Sequence, residues 1–296
     1  MSARQDAIGQ ATASQRIKDL AFRLALLACL ALAIGLLVVL LVDVALDGVG
    51  ALDWDFINNF TSITADKAGI QAGLWGTIWL MGVCAFFIVP VGVATAIYLE
   101  EYGDPTKWWN RLIELNIQNL AAVPSIVYGI LGLAFLVRGP LSLGNVVLAG
   151  GLTLALLVLP MVIIAGREAL RAVPSSIREG SMALGATQWQ TIWRQVLPAA
   201  VPGIATGVIL ALSRAIGETA PLIVVGAVAV IAFNPEGLDS QFTAMPIQIF
   251  DWISRASNDV NNYRPLAAAG ILLLMILLLA MNSVAIWLRN RYEQKW

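Results

Sequence analysis

The sequence contains no histidine and is poor in cysteine and in charged residues. Without histidine, the chain can form neither an imidazole metal site nor a histidine-based catalytic site. The two cysteines, Cys29 and Cys84, lie inside apolar runs, which predicts buried small side chains and not a disulfide framework. Only 12% of the residues are charged, well below the ~25% that is usual in soluble domains.

The sequence also lacks the phosphate-binding motif G-x-x-x-x-G-K-[ST], so we expect no ATP to bind this chain in a Walker loop. Apart from Arg214 and Glu218, no carboxylate pair or nucleophile–base set stands out. We therefore predict a protein that is not an enzyme and binds no cofactor directly. If ATP drives its function, another polypeptide hydrolyses it.

Long apolar runs dominate the sequence, and 59% of its residues are hydrophobic. A helix needs about 20 mostly apolar residues to cross a bilayer. We predict an all-α, polytopic membrane protein with six transmembrane helices, at Leu20–Val42, Ala72–Leu99, Leu120–Val137, Val146–Ala165, Ala199–Phe233 and Leu266–Leu288.

Lysine and arginine are unevenly divided among the segments that connect these runs. With the N-terminus inside, thirteen of the 18 basic residues fall on the inner side, Arg214 lies within a run, and four fall outside, namely Lys67, Arg138, Arg255 and Arg264. This excess predicts that both chain ends are cytoplasmic. The predicted divisions are a cytoplasmic tail (residues 1–19), a first transmembrane helix with its outer loop (residues 20–68) and a transmembrane domain (residues 69–292).

The outer segment Asn234–Arg264 contains a short apolar stretch, Met245–Ile253. Ile247, Phe250 and Ile253 recur there at helical spacing, which predicts a short helix lying on the membrane surface.

A polar segment at about residues 166–198 connects the fourth and fifth runs. We predict two short helices, because Ser175 or Ser176 can cap the first and Gly185 can end it in a left-handed conformation. Thr187 can then cap the second, with Gln190 three residues later completing a capping box. A generic connecting loop is the alternative, but the length of the segment and its ordered caps argue against it.

The same segment carries a family resemblance. Its residues resemble the "EAA" loop of binding-protein-dependent ABC importer permeases, at Glu179, Gly180, Ser181, Ala183, Leu184, Gly185, Ile192, Leu197 and Pro198. Gly180 and Ser181 replace the two alanines, a change among small residues. The resemblance implies the type I ABC importer permease fold, with residues 166–198 as a coupling loop that docks on an ATP-binding subunit.

Three further stretches are similar to the phosphate permeases of the PstA type within that family: Ala96–Tyr102, Asn119–Gly129 and Arg214–Leu222. This resemblance implies an ATP-driven phosphate importer in a bacterial cell (inner) membrane. Its implied partners are a second, similar permease subunit, two ATP-binding subunits and a periplasmic or surface-tethered phosphate-binding protein. A permease for molybdate or sulfate, and a secondary transporter in which Glu218 relays protons, remain as alternatives.

Arg214 and Glu218 stand four residues apart in the fifth run, hence on one face if that run is a single helix. A charge at the bilayer centre costs from ~3 to more than 10 kcal/mol, so both should face protein or water. They either neutralise each other and fix helix packing, or Arg214 binds the travelling oxyanion while Glu218 prevents it from being trapped. Arg138 is a second candidate for the anion path; its alternative role is that of an interface arginine.

Overall fold

The computed structural model describes residues 13–104, 106–255 and 262–292. Most of the predicted tail therefore lies outside the described residues. Within those ranges the chain forms helices and no β-strand, as the all-α prediction requires. The α-helices are α1 (Ala13–Gly48), α2 (Trp54–Asn58), α3 (Gln71–Ile97), α4 (Trp108–Ala121), α5 (Ser125–Leu131), α6 (Val147–Arg171), α7 (Ser175–Ala183), α8 (Gln188–Thr191), α9 (Leu197–Ala215), α10 (Ala220–Val225), α11 (Met245–Ser254) and α12 (Arg264–Tyr292).

Five helical stretches among the described residues are long and apolar enough to cross a membrane. They are Ile17–Ala51, Gln71–Tyr102, Val147–Arg171, Gln188–Ala215 and Arg264–Arg291. A sixth crossing exists only if α4 and the helix that begins with α5 count as one bent span. The multi-pass membrane architecture is thus confirmed, although the predicted third and fifth spans differ in detail.

The predicted third span, Leu120–Val137, is not one helix. α4 ends at Ala121, α5 begins at Ser125, and the two axes differ in direction by 110°. Pro124 explains the break, because a proline disfavours helical conformation in the residue before it, here Val123, and offers no N–H to continue the helix.

The predicted fifth span, Ala199–Phe233, is also broken and begins earlier. Its helix starts at Gln188 and ends with α9 at Ala215. A turn around Gly217 leads into the short α10, which Gly226 ends in a left-handed conformation (φ +94°). This positive φ favours glycine at position 226, where a Cβ would also lie 2.2 Å from the amide end of the Asn145 side chain.

Three helices contain π-helical turns. α3 continues through Tyr98–Tyr102, α5 continues through Gly132–Val137, and α8 runs into α9 through Ile192–Val196. In a regular helix the ring of Pro198 would clash with the carbonyl of Arg194. The wider turn before Pro198 accommodates that ring without breaking the helix.

α6 lies at the centre of the core and packs along both α3 and α9. The core between these helices includes Cys84 of α3, Val158 of α6 and Ala211 of α9. Small residues allow the close approach, since a Cβ at Gly207 of α9 would lie 2.4 Å from the Ala165 side chain. Cys84 is buried as predicted, whereas Cys29 is exposed on α1, because the described part of the chain does not cover that helix.

α11 forms a helix where one was predicted, and its place at the membrane surface remains a prediction. It packs between α3 and α12, and the N–H of Met245 donates to Thr77 Oγ1 of α3 at 2.9 Å. Its buried face includes Gln248 and Trp252, whereas Phe250 and Ile253 are exposed. Of the three regularly spaced residues only Ile247 is buried, because residues on both sides of this helix are apolar.

Candidate functional site

Arg214 and Glu218 lie where the fifth span is broken. Arg214 is in the last turn of α9 and Glu218 lies beyond the helix end, so they do not share the face of one continuous helix. The pair still meets, because the turn continues with Ile216 N–H donating to the Leu212 carbonyl and Glu218 N–H to the Ala215 carbonyl. Arg214 Nε lies 3.5 Å from Glu218 Oε1.

The depth of this pair follows from its contact with α6. Arg214 Nη1 lies 3.5 Å from the sulfur of Met161. At 1.5 Å per residue, Met161 is ~21 Å along α6 from Val147 and ~15 Å from Arg171. The charged pair therefore lies near the middle of a helix that is long enough to cross the membrane.

Only some of the N–H donors of the Arg214 guanidinium have a partner among the described residues. Its side chain is 43% exposed and that of Glu218 is 18% exposed. Both contacts of the guanidinium are long, at 3.5 Å. A guanidinium has five N–H donors, so the contacts made by the described residues leave several available to an oxyanion. The geometry is compatible with anion binding and also with a packing role.

Arg138 lies far from this pair. It follows the π-helical turn after α5, and the neighbouring Leu136 and Val137 pack with Ala149 near the start of α6. Its side chain is exposed and forms no ion pair among the described residues. The structure thus does not bring Arg138 into one site with Arg214, and its predicted role in the anion path remains a prediction.

The first half of the coupling loop forms α7 and a tight turn. Pro174 precedes α7, no side chain caps that end, and Ser175 is already helical, so the predicted serine cap is wrong. The predicted left-handed Gly185 is confirmed at φ +84°. Its N–H donates to the Met182 carbonyl and that of Ala186 to the Ser181 carbonyl, the bonds of a Schellman C-cap.

The second half begins with the predicted capping box. Gln190 N–H donates to Thr187 Oγ1 at 3.3 Å, and Thr187 N–H donates to Gln190 Oε1 at 3.0 Å. This second helix is not separate, because it runs through Ile192–Val196 into α9. Leu197 and Pro198 therefore lie inside a helix and do not mark its beginning.

The residues of the coupling loop that were predicted to dock on a partner differ in accessibility. The exposed ones are Glu179, Gly180, Ala183, Leu184 and Gly185, with Leu184 at 91% exposure. Ser181 is half-buried, and Ser181 Oγ lies 2.9 Å from Thr191 Oγ1 across the two helices. Ile192 is buried at 2% exposure, and Leu197 and Pro198 are half-buried. A partner can thus reach the turn and the outer face of α7 directly, while the remaining residues hold that face in place.

A charge network that the sequence pattern did not single out lies beneath the coupling loop. Arg171 binds Glu100 through Nε and Nη2, both at 3.0 Å. Arg167 lies between Glu100 at 3.4 Å and Glu114 of α4 at 2.9 Å. Glu101 binds Arg178 of α7 at 2.6 Å. The sequence signal for this network is the pair of adjacent carboxylates, Glu100 and Glu101, at the end of an apolar run. Arg167 and Arg171 stand at helical spacing in the polar segment.

Residues 88–295 match the family described as the inner membrane component of binding-protein-dependent transport systems. The chain belongs to this family. The membership that the coupling loop predicted is thereby confirmed.

Several relatives are named as permease proteins of transport systems. The chain is 43% identical over 53% of its length to the phosphate transport system permease protein PstA 1 of Mycobacterium tuberculosis, of which the match spans 50%. It is 32% identical over 79% of its length to the phosphate transport system permease protein PstA of Haemophilus influenzae, covering 80% of that protein. It is 29% identical over 90% of its length to the probable ABC transporter permease protein YqgI of Bacillus subtilis, covering 93% of it.

Solved transporter structures share the fold. The chain resembles the MetNI methionine ABC transporter in an inward facing conformation with a TM-score of 0.61 and 18% identity, over 75% of this chain and 95% of that one. It resembles a bacterial ABC transporter involved in alginate import with a TM-score of 0.59 and 18% identity, over 93% of this chain and 98% of that one. The predicted type I importer permease fold is confirmed.

Proposed function

We propose that this chain is the permease subunit of an ATP-driven phosphate importer in a bacterial cell (inner) membrane. The PstA names of several relatives support phosphate as the transported anion. In this proposal the chain forms the translocation path together with a second, homologous permease. Two ATP-binding subunits and a phosphate-binding protein on the outer surface complete the complex.

The observation that carries the proposal is the position of Arg214. A guanidinium that is 43% exposed, at the middle depth of a membrane-crossing helix, is expensive unless it faces water or an anion. Its planar set of donors matches the oxygens of phosphate. Glu218, 3.5 Å away, offsets the positive charge and so keeps phosphate from binding too tightly to leave.

The exposed face of α7 and the turn after it connect this chain to ATP hydrolysis in the proposed mechanism. In the proposal this face docks on an ATP-binding subunit, which alone hydrolyses ATP, so that this chain catalyses no reaction and binds no cofactor itself. The absence of a Walker sequence in the chain supports the assignment of ATP hydrolysis to another subunit.

The test is phosphate uptake by the complete complex, reconstituted in vesicles with its binding protein. We expect uptake that requires ATP, resists a protonophore and is not reduced by excess sulfate or molybdate. Preferential uptake of sulfate or molybdate would assign the complex to another oxyanion. Uptake that continues without ATP and collapses with the proton gradient would identify a secondary transporter and refute the proposal.

A further inference from the structure

Glu101 connects the end of α3 to both helices of the coupling loop. Arg178 of α7 donates from Nη2 to Glu101 Oε1 at 2.6 Å, and Gln188 of α8 donates from Nε2 to the Glu101 carbonyl at 2.7 Å. The side chain of Glu101 is 8% exposed and that of Arg178 is 21% exposed, so salt and water screen this ion pair only weakly. Glu101, a single residue at the end of α3, thus binds both helices of the coupling loop.

Arg178 also binds the end of α6. It donates from Nη1 to the Val173 carbonyl at 2.7 Å and from Nη2 to the Leu170 carbonyl at 2.9 Å. The Leu170 carbonyl also accepts from the N–H of Val173 at 3.2 Å, so Arg178 adds a second donor to it and binds the Val173 carbonyl in the turn after the helix. Arg178 reaches two carbonyls and a carboxylate from separate nitrogens of one planar group, whereas lysine carries all its donors on a single nitrogen and cannot match this geometry.

The loop itself is stiff. Ser181 and Thr191 are linked at 2.9 Å, the turn at Gly185 is closed by two backbone bonds, and Thr187 and Gln190 form a reciprocal cap. A force applied to the exposed face of α7 would therefore displace the loop as one body. Covalent connections pass that displacement to α6 and α9, which adjoin the loop. The end of α3 has no such connection: Ala96 packs there with Val173 and Val196 in an apolar cluster, and Glu101 adds the hydrogen bonds and the ion pair to both helices of the loop.

We propose that Glu101 is a positioning residue that makes α3 follow the coupling loop, so that all three central helices α3, α6 and α9 move together when the ATP-binding subunit pushes. This inference rests on the proposed function. It assigns to Glu101 and Arg178 the transmission of force, a role distinct from the docking surface on α7 and from Arg214.

The first test uses three variants of the reconstituted complex. Glu101→Gln keeps the backbone bond to Gln188 but removes the charge, and Arg178→Lys keeps the charge but removes the fork. Glu168→Gln is the matched control, because Glu168 is an exposed carboxylate that only contacts Arg171 at 3.4 Å. Assembly, ATP hydrolysis stimulated by the loaded binding protein, and phosphate transported per ATP are scored separately.

We expect Glu101→Gln and Arg178→Lys to assemble and hydrolyse ATP while phosphate transported per ATP falls at least about fivefold, the low end of typical coupling between sites. Glu168→Gln should match the unaltered complex. An unchanged ratio in Glu101→Gln would overturn the inference. Failure of both variants to assemble would also overturn it, since Glu101 would then be a structural support.

The second test does not depend on the transported substrate. Spin labels are attached to cysteines at Ser175 of α7 and Tyr102 beyond α3, both exposed, after Cys29 and Cys84 are replaced. We expect the distance between the labels to stay constant on ATP binding, and to change on ATP binding in the Glu101→Gln variant. If the distance between the labels also stays constant on ATP binding in the Glu101→Gln variant, the proposed role of Glu101 is refuted. This conclusion holds whichever anion the complex transports.

Discussion

The guanidinium of Arg214 has more donors than the described residues use. Glu218 Oε1 and the Met161 sulfur each lie at 3.5 Å, so neither contact is short. If these two residues serve only to fix helix packing, the loss of one charge should disturb complex assembly and phosphate uptake. Removing both charges together should then restore them. If Arg214 contacts the travelling anion, no change at Glu218 can replace its donors.

We predict that the Arg214→Gln and Glu218→Gln double variant assembles into the complex but does not take up phosphate. Arg214→Gln alone should lose uptake, and Arg214→Lys should be impaired because lysine lacks the planar fork. The measurement is a double-mutant cycle in which complex assembly and phosphate uptake are scored independently.

Arg111→Gln is the control for this cycle, because Arg111 is an exposed arginine of α4 outside the charged pair. It should retain uptake. Recovery of uptake in the double variant would show that Arg214 and Glu218 are a packing pair and would remove the main support for an anion path at this position.

Among the elements, the junction of α7 and α8 depends on one backbone conformation. Gly185 has φ +84°, and a Cβ placed there would meet no atom within 4 Å. A substitution is therefore strained by the backbone and not by crowding. Gly180, five residues earlier inside α7, has the same open surroundings but an ordinary helical conformation.

We predict that Gly185→Ala distorts the turn at a cost of ~1–2 kcal/mol, the penalty for a left-handed residue with a Cβ. The complex should still assemble, with ATP hydrolysis less tightly linked to phosphate uptake, because the docking face of α7 is displaced. Gly185→Asp should be more severe, since a carboxylate is added to the same surface.

Gly180→Ala isolates the backbone effect. Alanine is favoured over glycine in a helix by ~1 kcal/mol, so this variant should be as stable as the parent or more so and should transport normally. Equal transport by the Gly185 and Gly180 variants would contradict a coupling role for the turn.

At the scale of the whole molecule, the first helix is separate from the helices of the core. α1 contacts α12, and Arg264 at the start of α12 lies 2.8 Å from Asp47 and 3.6 Å from Asp43. The remainder of α1 is uncovered by the described chain. The direction in which the whole bundle crosses the membrane follows only from the distribution of basic residues, so it remains a prediction.

We predict that the coupling loop faces the cytoplasm and that the segment before α11 faces outward. Single cysteines at Ser175 and Asp239, both exposed, would be placed in a protein without Cys29 and Cys84. A membrane-impermeant thiol reagent should label position 239 in intact cells. Position 175 should react only after permeabilisation.

Inverted membrane vesicles provide the control, since the labelling of the two positions should there be exchanged. Labelling of position 175 in intact cells would reverse the orientation. Labelling of both positions in intact cells would mean that an even number of crossings separates them, whereas one crossing is predicted, and the predicted membrane topology would be wrong.

The sequence by itself determined the class of the protein, four of its membrane helices and two local features of the coupling loop. These features depend on interactions between residues near each other in the chain. Apolar runs are long enough to cross a membrane regardless of their neighbours. The Thr187–Gln190 capping box and the left-handed Gly185 follow from local hydrogen bonding and steric freedom.

Only the tertiary structure decided which faces are buried, which charges pair and where the fifth apolar run breaks. The apolar run through α9 and α10 continues past Gly217, so composition could not place the break that sets Glu218 beyond the helix end. α11 is apolar on several sides, and its buried face depends on α3 and α12. Glu101 and Arg178 stand 77 residues apart, and no local pattern specifies such a pairing, because it requires the ends of α3 and α6 to be brought together by the packed core.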